Sequence, residues 1–384
     1  MVQFSALLLL LALTGAQALD NGLLRTPPMG WMSWTAFYCE MDCQRHPTTC
    51  ISEQLYKQMA DHLVSDGYSA AGYTYVHVDD CWMERSRDSR GVLVSDQQRF
   101  PSGMKALANY VQAKGLKFGI YEDYGTKTCA GFPGSYGFLK LDADTFAAWE
   151  VDYLKLDGCN IDLSLMSVGY PEMAQRLNQS GRAIAYSCSW PAYLIDQPHL
   201  VDYNVIGHYC NLWHIPTHGP GHWHDPDMIV VGNQGITVDM SKAQMTIWSI
   251  WSAPLIMSND LRSIGPEFRE ILLNSRVIAV DQDPLGIMGR LVANVCTCRS
   301  PFDTKSQTTY VGVYVKPMTP ARGGNVGFIL KDLGLKNPAK YHIQDLWSGE
   351  GVFGPEDRYE TIVNPTGVDF IKATPLNFHN NRPW

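Results

Sequence analysis

Short β-rich runs alternate with amphipathic segments through the first two thirds of the chain, and most runs end in acidic or other polar residues. The predicted strands are residues 29–31, 73–78, 117–121, 153–156, 183–186, 205–207, 225–231 and 255–257. Eight strands separated by helices are the count of a (β/α)8 TIM barrel, which is an α/β fold. Barrel enzymes carry their chemistry at the carboxyl ends of the strands, where the polar residues of this chain also cluster.

The segments between the strands have helical periodicity. Ser52 precedes a run with Leu55, Met59 and Leu63 on one face, and Gly67 ends it, which is the pattern of a capped amphipathic helix. The same unit of helix, glycine and strand recurs along the chain. The pattern therefore predicts helices packed around the barrel.

The pattern changes near Leu285, where short β-rich runs with turn signals replace the alternation. These runs predict a C-terminal antiparallel β-sandwich domain. The chain is thus divided into residues 1–18 as a signal peptide, 19–285 as the barrel, and 286–384 as the β domain.

The N-terminus has the pattern of a secretory signal peptide. Residues 5–15 are dominated by Leu and Ala, and Ala16-Gln17-Ala18 is a small-residue cleavage site. No later apolar run is long enough to span a bilayer, and the net charge of −8 argues against nucleic acid and anionic membranes as partners. The expected location is lysosomal or secreted.

Ten cysteines fit an oxidising compartment and permit up to five disulfides. Cys43 and Cys50 are close enough to pair locally, whereas Cys296 and Cys298 could form only a tight, strained loop. A zinc site is the alternative, but the chain lacks a pair of CxxC knuckles. The sequon at Asn178 predicts an N-linked glycan.

Asp157 is the first candidate for chemistry, because it stands at the C-terminal end of the strand 153–156 and Gly158 follows it. Lys155 lies two residues earlier and projects from the same side. A cation beside a carboxylate keeps it ionised, as a nucleophile requires. A partly buried structural ion pair is the competing interpretation of these two residues taken alone.

The strand ends together supply carboxylates and aromatic rings, which is the composition of a sugar-binding pocket. The candidates are Trp34, Asp79, Asp80, Tyr121, Asp123, Lys155, Asp157, Tyr193, Asp225 and Asp227. Asp79 and Asp80 could instead bind a divalent metal, but such a site needs more converging ligands. No metal and no cofactor is therefore predicted.

The chain carries an ordered series of short motifs: Met29-Gly-Trp-Met-Ser-Trp34, Asp79-Asp-Cys-Trp82, Gly119-Ile-Tyr121, Lys127-Thr-Cys-Ala-Gly-Phe-Pro-Gly134, Lys155-Leu-Asp-Gly-Cys159, Tyr186-Ser-Cys-Ser-Trp-Pro191, Gly219-Pro-Gly-His-Trp223 and Asp225-Pro-Asp-Met228. With these motifs, the sequence from about Leu23 to the C-terminus resembles the α-galactosidase and α-N-acetylgalactosaminidase family of retaining glycoside hydrolases.

This resemblance implies a barrel followed by a β domain, usually in a homodimer. It makes Asp157 the nucleophile, with the sugar held by Asp79, Asp80, Lys155, Trp34, Tyr121 and Asp227. The implied disulfides are Cys39–Cys81, Cys43–Cys50, Cys129–Cys159 and Cys188–Cys210. The substrates would be terminal α-linked N-acetylgalactosamine and, more weakly, galactose in glycoconjugates.

The two activities of the family divide at the loop after the fifth strand, where galactosidases carry a large acidic and a large apolar residue. This chain has Ser189 and Ala192, which resemble the N-acetylgalactosaminidase pair. Small side chains leave room for an acetamido group, to which Ser189 could hydrogen-bond, and Tyr193 would line the same pocket. The alternative is that both are simply small residues at the top of the barrel.

The resemblance is interrupted after Trp213. His214 stands where the family has arginine, and residues 214–218 run directly into Gly219. Relative to the family, roughly two dozen residues are absent, and with them the acid/base aspartate and the sixth crossover helix. Successive parallel strands need about a dozen connecting residues, so either the barrel is distorted here, or the sequence derives from a skipped exon or a faulty gene model.

Histidines 214, 218, 222 and 224 follow this interruption, but their spacing fits no helix face and a metal site is not predicted. Without the acid/base, three outcomes compete: sugar binding with negligible turnover, cleavage of activated aryl glycosides only, or rescue by Asp225 or Asp227. A protein unrelated to sugar is the remaining class. The expected function is an α-N-acetylgalactosaminidase of impaired activity, with a catalytically weak or dead sugar-binding protein as the alternative.

Overall fold

The computed structural model describes residues 21–213, 219–290, 309–314, 324–333, 335, 341–354, 358–364 and 366–376. The strands are β1 (Met29–Met32), β2 (Tyr75–Val78), β3 (Lys117–Asp123), β4 (Tyr153–Asp157), β5 (Ala185–Cys188), β6 (Leu212–Trp213), β7 (Trp223–His224), β8 (Leu255–Met257), β9 (Thr309–Tyr314), β10 (Gly324–Ile329), β11 (Tyr341–Asp345), β12 (Gly351–Gly354), β13 (Arg358–Val363) and β14 (Val368–Pro375). The α-helices are α1 (Trp34–Phe37), α2 (Glu53–Ser65), α3 (Gly103–Gln112), α4 (Leu139–Ala148), α5 (Met166–Gln179), α6 (Tyr203–Tyr209), α7 (Val238–Ile250), α8 (Pro266–Leu272) and α9 (Ser275–Asp281).

Eight parallel strands form one sheet in the order β7-β6-β5-β4-β3-β2-β1-β8. The segment that contains β7 also reaches the other edge of this sheet, because Ile229 forms a parallel bridge with Met257 of β8. The predicted (β/α)8 barrel followed by antiparallel sheets is confirmed. Its parallel order brings the carboxyl ends of all eight strands to one face.

Helix α2 shows why the sequence pattern succeeded. The side chain of Ser52 accepts a hydrogen bond from the backbone N–H of Leu55 and so satisfies one of the helix's unpaired donors. Leu55, Met59 and Leu63 are buried in the main core, as their spacing predicts. Burying each such side chain contributes about 1.5–3 kcal/mol relative to leaving it exposed.

The strand predicted at residues 205–207 is wrong, because these residues lie in α6. Asp202 begins the helix by accepting hydrogen bonds from the backbone N–H groups of Asn204 and Val205. The sixth strand lies further along, at Leu212–Trp213. A short apolar run does not by itself distinguish a strand from a buried helix turn, and here the capping aspartate decides.

The seventh strand is also shorter and earlier than the predicted residues 225–231. It consists of Trp223–His224, which pairs in parallel with Leu212–Trp213, followed by the single bridge at Ile229. Residues 214–222 connect β6 to β7, and their described part, residues 219–222, forms a turn with a Gly219–His222 bridge and no helix. The described residues of this connection therefore do not contribute to the crossover helix expected between parallel strands.

The C-terminal strands form a four-stranded antiparallel sheet in the order β12-β11-β14-β9 and a two-stranded sheet of β10 and β13. Arg276 of α9 ties the barrel to this region by donating to the backbone carbonyls of Leu346 and Trp347. Within the described ranges, no helix is both long and apolar enough to cross a bilayer. The predicted signal peptide, His214, His218, Cys296 and Cys298 lie outside the described residues.

Candidate active site

The strand ends bring the predicted carboxylates to one region at the top of the barrel. Asp79 and Asp80 directly follow β2, Tyr121 and Asp123 lie in β3, and Asp157 ends β4. In the register of the sheet, Tyr121 pairs with Lys155 and Asp123 pairs with Asp157. Since alternate residues of a strand face the same side, these four side chains share the inner face.

Asp157 is held by three hydrogen-bond donors. The hydroxyl of Tyr121 donates to Oδ2 at 2.9 Å, the hydroxyl of Tyr193 donates to Oδ1 at 2.6 Å, and the N–H of Gly158 donates to Oδ1 at 3.0 Å. Burial and the negative charge of Asp157 raise the pKa of both phenols above the ordinary value. The phenols therefore stay protonated and fix both carboxylate oxygens in place.

Lys155 forms its ion pair with Asp79, at 2.9 Å from Nζ to Oδ2, and not with Asp157, so the competing interpretation of Lys155 and Asp157 as a structural ion pair is wrong. Burial acts to lower the pKa of Lys155, but the carboxylates of Asp79, Asp227 and Asp157 outweigh it and raise the pKa. Burial raises the pKa of Asp79, whereas Lys155 acts in the opposite direction. We assign the pair as ionised because the ammonium directly contacts the carboxylate and also lies in the field of two further carboxylates.

Asp80 connects β2 to the loop after β3. Its Oδ1 accepts from the N–H of Cys81 at 2.6 Å, and its Oδ2 accepts from the N–H of Ala130 at 3.0 Å. Cys81 adopts a left-handed conformation with φ of 73°, which is uncommon for a residue other than glycine. Such strain persists only where the surrounding structure enforces it, and it often marks a functional site.

The described residues form four disulfides, and these are the pairs that the resemblance implies: Cys39–Cys81, Cys43–Cys50, Cys129–Cys159 and Cys188–Cys210. The third borders the nucleophile candidate, with Sγ of Cys129 at 3.4 Å from Oδ2 of Asp157. Asp123, Cys129, Asp157 and Cys159 have potential ligand atoms within 4.8 Å of one another. Because the two sulfurs are bonded to each other, they are not thiolate ligands in this state.

Trp34 and Asp227 lie at the rim. Trp34 is half-buried at the start of α1 and packs against Met32, Met228 and Ile256, whereas Asp227 is exposed. Asp227 has φ of 77°, and its backbone N–H donates to Oδ1 of Asp225 at 3.0 Å. This turn positions Asp227 close enough to Lys155 to raise the pKa of the lysine.

Ser189, Ala192 and Tyr193 lie together after β5, in and next to a 3₁₀ helix at Trp190–Leu194. Ser189 is half-buried, Ala192 is exposed, and the N–H of Ala192 donates to the carbonyl of Ser189 at 3.0 Å. Tyr193 contacts Asp157, so this short helix is adjacent to the nucleophile candidate. Asn178 lies far from it, exposed near the end of α5.

Sequence reasoning missed several supporting contacts. The sequence marked Tyr193 as a pocket residue but gave no signal that its hydroxyl bonds to Asp157. It also passed over Ser33, whose hydroxyl accepts from the N–H of Asp79 at 3.4 Å and from the hydroxyl of Tyr56 at 2.9 Å. These contacts join residues 23 to 46 positions apart in sequence, which strand and helix periodicity cannot reveal.

A polar cleft of about 570 Å³ lies elsewhere, lined by residues that include Glu150 and Arg182. These residues directly precede β4 and β5, so the cleft is at the opposite end of the barrel from Asp157. Barrel chemistry occurs at the carboxyl ends of the strands, and this cleft is therefore not the candidate active site.

The family model described as Alpha galactosidase A matches residues 26–215 and 214–283. The two matched segments meet at His214, which is the residue where the motifs are interrupted. The family pattern thus continues on both sides of the interruption.

Known proteins match along nearly the whole chain. An α-N-acetylgalactosaminidase from Gallus gallus is 42% identical over 391 positions, covering 91% of this chain and 94% of its own. Alpha-galactosidase A from Homo sapiens is 49% identical over 72% of this chain and 70% of its own. The crystal structure of α-galactosidase I from Mortierella vinacea has a TM-score of 0.78 at 26% identity, over 93% of this chain and 99% of that one.

The alignment with the Gallus gallus protein is longer than the part of this chain that it covers. Since 91% of 384 residues is about 350, about 40 of the 391 aligned positions have no residue here. The relative therefore contains segments that this chain lacks.

Proposed function

This chain belongs to the alpha galactosidase A family and is an O-glycosyl hydrolase by descent, and on that premise we propose that it recognises terminal α-linked N-acetylgalactosamine, and more weakly galactose, in glycoconjugates. The observation that carries the proposal is the Asp157 carboxylate, held by two phenols beside the Lys155–Asp79 pair. This is a fixed nucleophile next to groups that bind sugar hydroxyls.

In the proposed reaction, Oδ1 or Oδ2 of Asp157 attacks the anomeric carbon, and the bond to the leaving oxygen breaks. The product is a covalent glycosyl-enzyme, which water then cleaves with retention of configuration. Asp79, Asp80 and Lys155 would bind the sugar hydroxyls, while Trp34, Tyr121 and Asp227 would complete the pocket. Carboxylates accept hydrogen bonds from hydroxyl groups, and an indole ring covers the apolar face of a sugar.

The preference for N-acetylgalactosamine rests on Ser189 and Ala192. Their side chains are small, and they stand next to Tyr193, which contacts Asp157. An acetamido group at the sugar's 2-position would find space over Ala192 and a hydrogen-bond partner in Ser189.

Turnover is proposed to be impaired, because residues 211–224 contain no Asp or Glu. In the family, this connection provides the carboxyl that protonates the leaving group and later activates water. Asp157 alone cannot protonate a poor leaving group. A sugar-binding protein with little or no turnover is therefore the second candidate, and cleavage of activated aryl glycosides would lie between the two.

The deciding experiment compares hydrolysis of aryl α-N-acetylgalactosaminide, aryl α-galactoside and a natural unactivated glycoconjugate by the purified protein. Isothermal titration with the two free sugars is performed on the same sample. We expect sugar binding and weak cleavage of the aryl substrates only. Robust turnover of the natural substrate would refute the impairment, and a folded protein that binds neither sugar would refute the sugar-directed function.

The remaining proposals concern the setting of the enzyme. Entry into the secretory pathway is supported by the four disulfides, which persist in oxidising compartments, and the final location would be lysosomal or extracellular. An exposed Asn178 would carry a glycan, which Asn178→Gln would remove with a mobility shift. We place the domain boundary near residue 285 and propose a homodimer, which light scattering on the purified protein would test.

A further inference from the structure

Asp123 lies behind Asp157 and takes no part in the reaction as proposed above. The two residues are paired in the register of β3 and β4, and their carboxylate oxygens are within 4.8 Å of each other. Asp123 has an exposed fraction of 0%, so it cannot touch a sugar, whereas Asp157 is half-buried. Any effect of Asp123 on the reaction must therefore pass through Asp157.

The carboxyl group of Asp123 joins the two loops that flank the nucleophile. Its Oδ1 accepts from the N–H of Gly125 at 2.6 Å, in the loop after β3. Its Oδ2 accepts from the N–H of Cys159 at 2.9 Å, two residues after Asp157. A Cβ at Gly125 would overlap the carbonyl oxygen of Cys159, so the loops meet backbone to backbone at this point.

The backbone around Asp157 depends on the same contact. The N–H of Tyr124 donates to the carbonyl of Asp157 at 2.9 Å, and the N–H of Ser135 donates to the carbonyl of Asp123 at 2.8 Å. The Cys129–Cys159 disulfide closes the arrangement, with Sγ of Cys129 at 3.6 Å from Oδ2 of Asp123. Asp123 is thus the side chain at the centre of the contact between the two loops.

The surroundings also determine where the negative charge lies. Two carboxyl groups this close, one of them fully buried, favour one charge between them. Asp157 has two phenol donors and partial exposure, which favour the charge there. Burial raises the pKa of Asp123 to about 8; the N–H groups of Gly125 and Cys159 oppose this shift, and the nearby charges of Asp157 and Asp80 add to it. The titratable groups that act on Asp123 or feel its charge are Asp80, Tyr121, Glu122, Asp157, Tyr170 and Tyr193.

We propose that Asp123 is a positioning residue that fixes Asp157 through the Gly125 and Cys159 loops and remains protonated at neutral pH, so that the single charge of the pair rests on the nucleophile. This inference rests on the proposed role of Asp157. Asp123 does not enter the covalent step, in which Asp157 forms the bond to the anomeric carbon.

The kinetic test uses α-N-acetylgalactosaminyl fluoride, whose leaving group departs without an added proton. The first burst of fluoride release then reports the attack by Asp157, even where the second step is slow. Asp123→Ala should slow this burst about 100-fold, which is the scale of loss for a catalytic group displaced by about 1 Å. The Kd for free N-acetylgalactosamine should change less than about threefold, and Asp123→Asn should restore the burst to within about tenfold of the unmodified protein.

The matched control is Glu122→Gln. Glu122 is also fully buried and is the preceding residue of β3, but it faces the other side of the strand. Its replacement should leave the burst unchanged. An unaltered burst in Asp123→Ala, or an equal loss in both variants, would overturn the positioning role.

Infrared difference spectra test the protonation without any turnover. At pH 6 the unmodified protein should show the carbonyl stretch of a protonated carboxyl group that Asp123→Asn lacks, and this signal should disappear near pH 8. If both proteins give the same signal, Asp123 is ionised and the proposal is wrong. Absence of sugar binding in the unmodified protein would instead refute the proposed function, and the infrared result would still decide the protonation of Asp123.

Discussion

Replacement of Lys155 by Met tests the ion pair on which the pocket is built. The side chain of Asp79 is 3% exposed and that of Lys155 is 20% exposed, so Lys155→Met would leave a buried carboxylate without its counter-charge. Removing one partner of a buried ion pair costs about 3–5 kcal/mol of the free energy of unfolding. Since Asp227 and Asp157 also lie in the field of this ammonium, we expect the upper part of that range.

Lys140→Met is the matched control, because Lys140 and Asp144 form a pair of the same type on the surface. That pair is 2.6 Å apart, with side chains 67% and 48% exposed. Exposed pairs contribute about 0–1 kcal/mol, so the control should be close to the unmodified protein in urea denaturation. The comparison isolates burial, since the two pairs have the same residue types and similar distances.

The double variant Lys155→Met with Asp79→Asn separates stability from function. A neutral amide no longer needs a counter-charge, so the double variant should recover part of the lost stability while still failing to bind galactose in isothermal titration. Two results would contradict a buried ion pair between Lys155 and Asp79. One is that Lys155→Met lowers the free energy of unfolding no more than Lys140→Met does. The other is that the double variant is less stable than the sum of the two single effects predicts.

Three further changes give separate tests. Ser189→Glu with Ala192→Leu should abolish binding of N-acetylgalactosamine while galactose binding stays within about tenfold, since only the acetamido group is excluded; equal loss of both sugars in isothermal titration would contradict the assignment. The pKa of Asp123 is raised to about 8, so its contribution to stability is complete below about pH 4 and is lost as the pH rises to 8. Between pH 5 and pH 7, the free energy of unfolding of Asp123→Asn should therefore rise by about 3 kcal/mol relative to the unmodified protein, at 1.36 kcal/mol per pH unit; a difference that stays constant over this range in urea denaturation would count against it. Replacing Cys129 and Cys159 by Ser should lower the free energy of unfolding by about 2–4 kcal/mol and slow the fluoride burst. The control is replacement of Cys43 and Cys50, whose sequence separation is 7 instead of 30, and it should leave the burst unchanged.

The sequence predicts the part of the fold that local patterns control. Ser52 and the spacing of Leu55, Met59 and Leu63 predict α2 because capping and a 3.6-residue period are local properties. Residues 205–207 were misassigned because three apolar or small residues carry no period, and the decisive signal is the side chain of Asp202. The acidic strand ends are also predictable from a local pattern, because a β-rich run directly precedes the acidic residues.

The partners within the site could not be predicted in this way. Lys155 and Asp157 are two residues apart on the same face, yet the ammonium bonds to Asp79 of the second strand end, two strands away in the sheet. The curvature of a closed barrel brings the strand ends together across the lumen, and side-chain direction on a single strand cannot reveal this. The hydrogen bonds that the hydroxyls of Tyr193 and Tyr121 donate to Asp157 depend on the same geometry.

The interruption after Trp213 is structurally separate from Asp157, the proposed nucleophile, and this explains how Asp157 can keep its surroundings in a chain that is interrupted there. In the part of the chain that the structure describes, the donors to Asp157 are Tyr121 of β3, Gly158 directly after β4, and Tyr193 of the 3₁₀ helix after β5. The sheet continues past the interruption, because Trp223–His224 pairs with β6 and Ile229 bridges to β8, so the same segment contacts both neighbouring strands. If the interruption removes the acid/base residue, as proposed, the contacts that orient Asp157 remain. This is why sugar binding and fluoride release are expected to outlast hydrolysis of natural substrates.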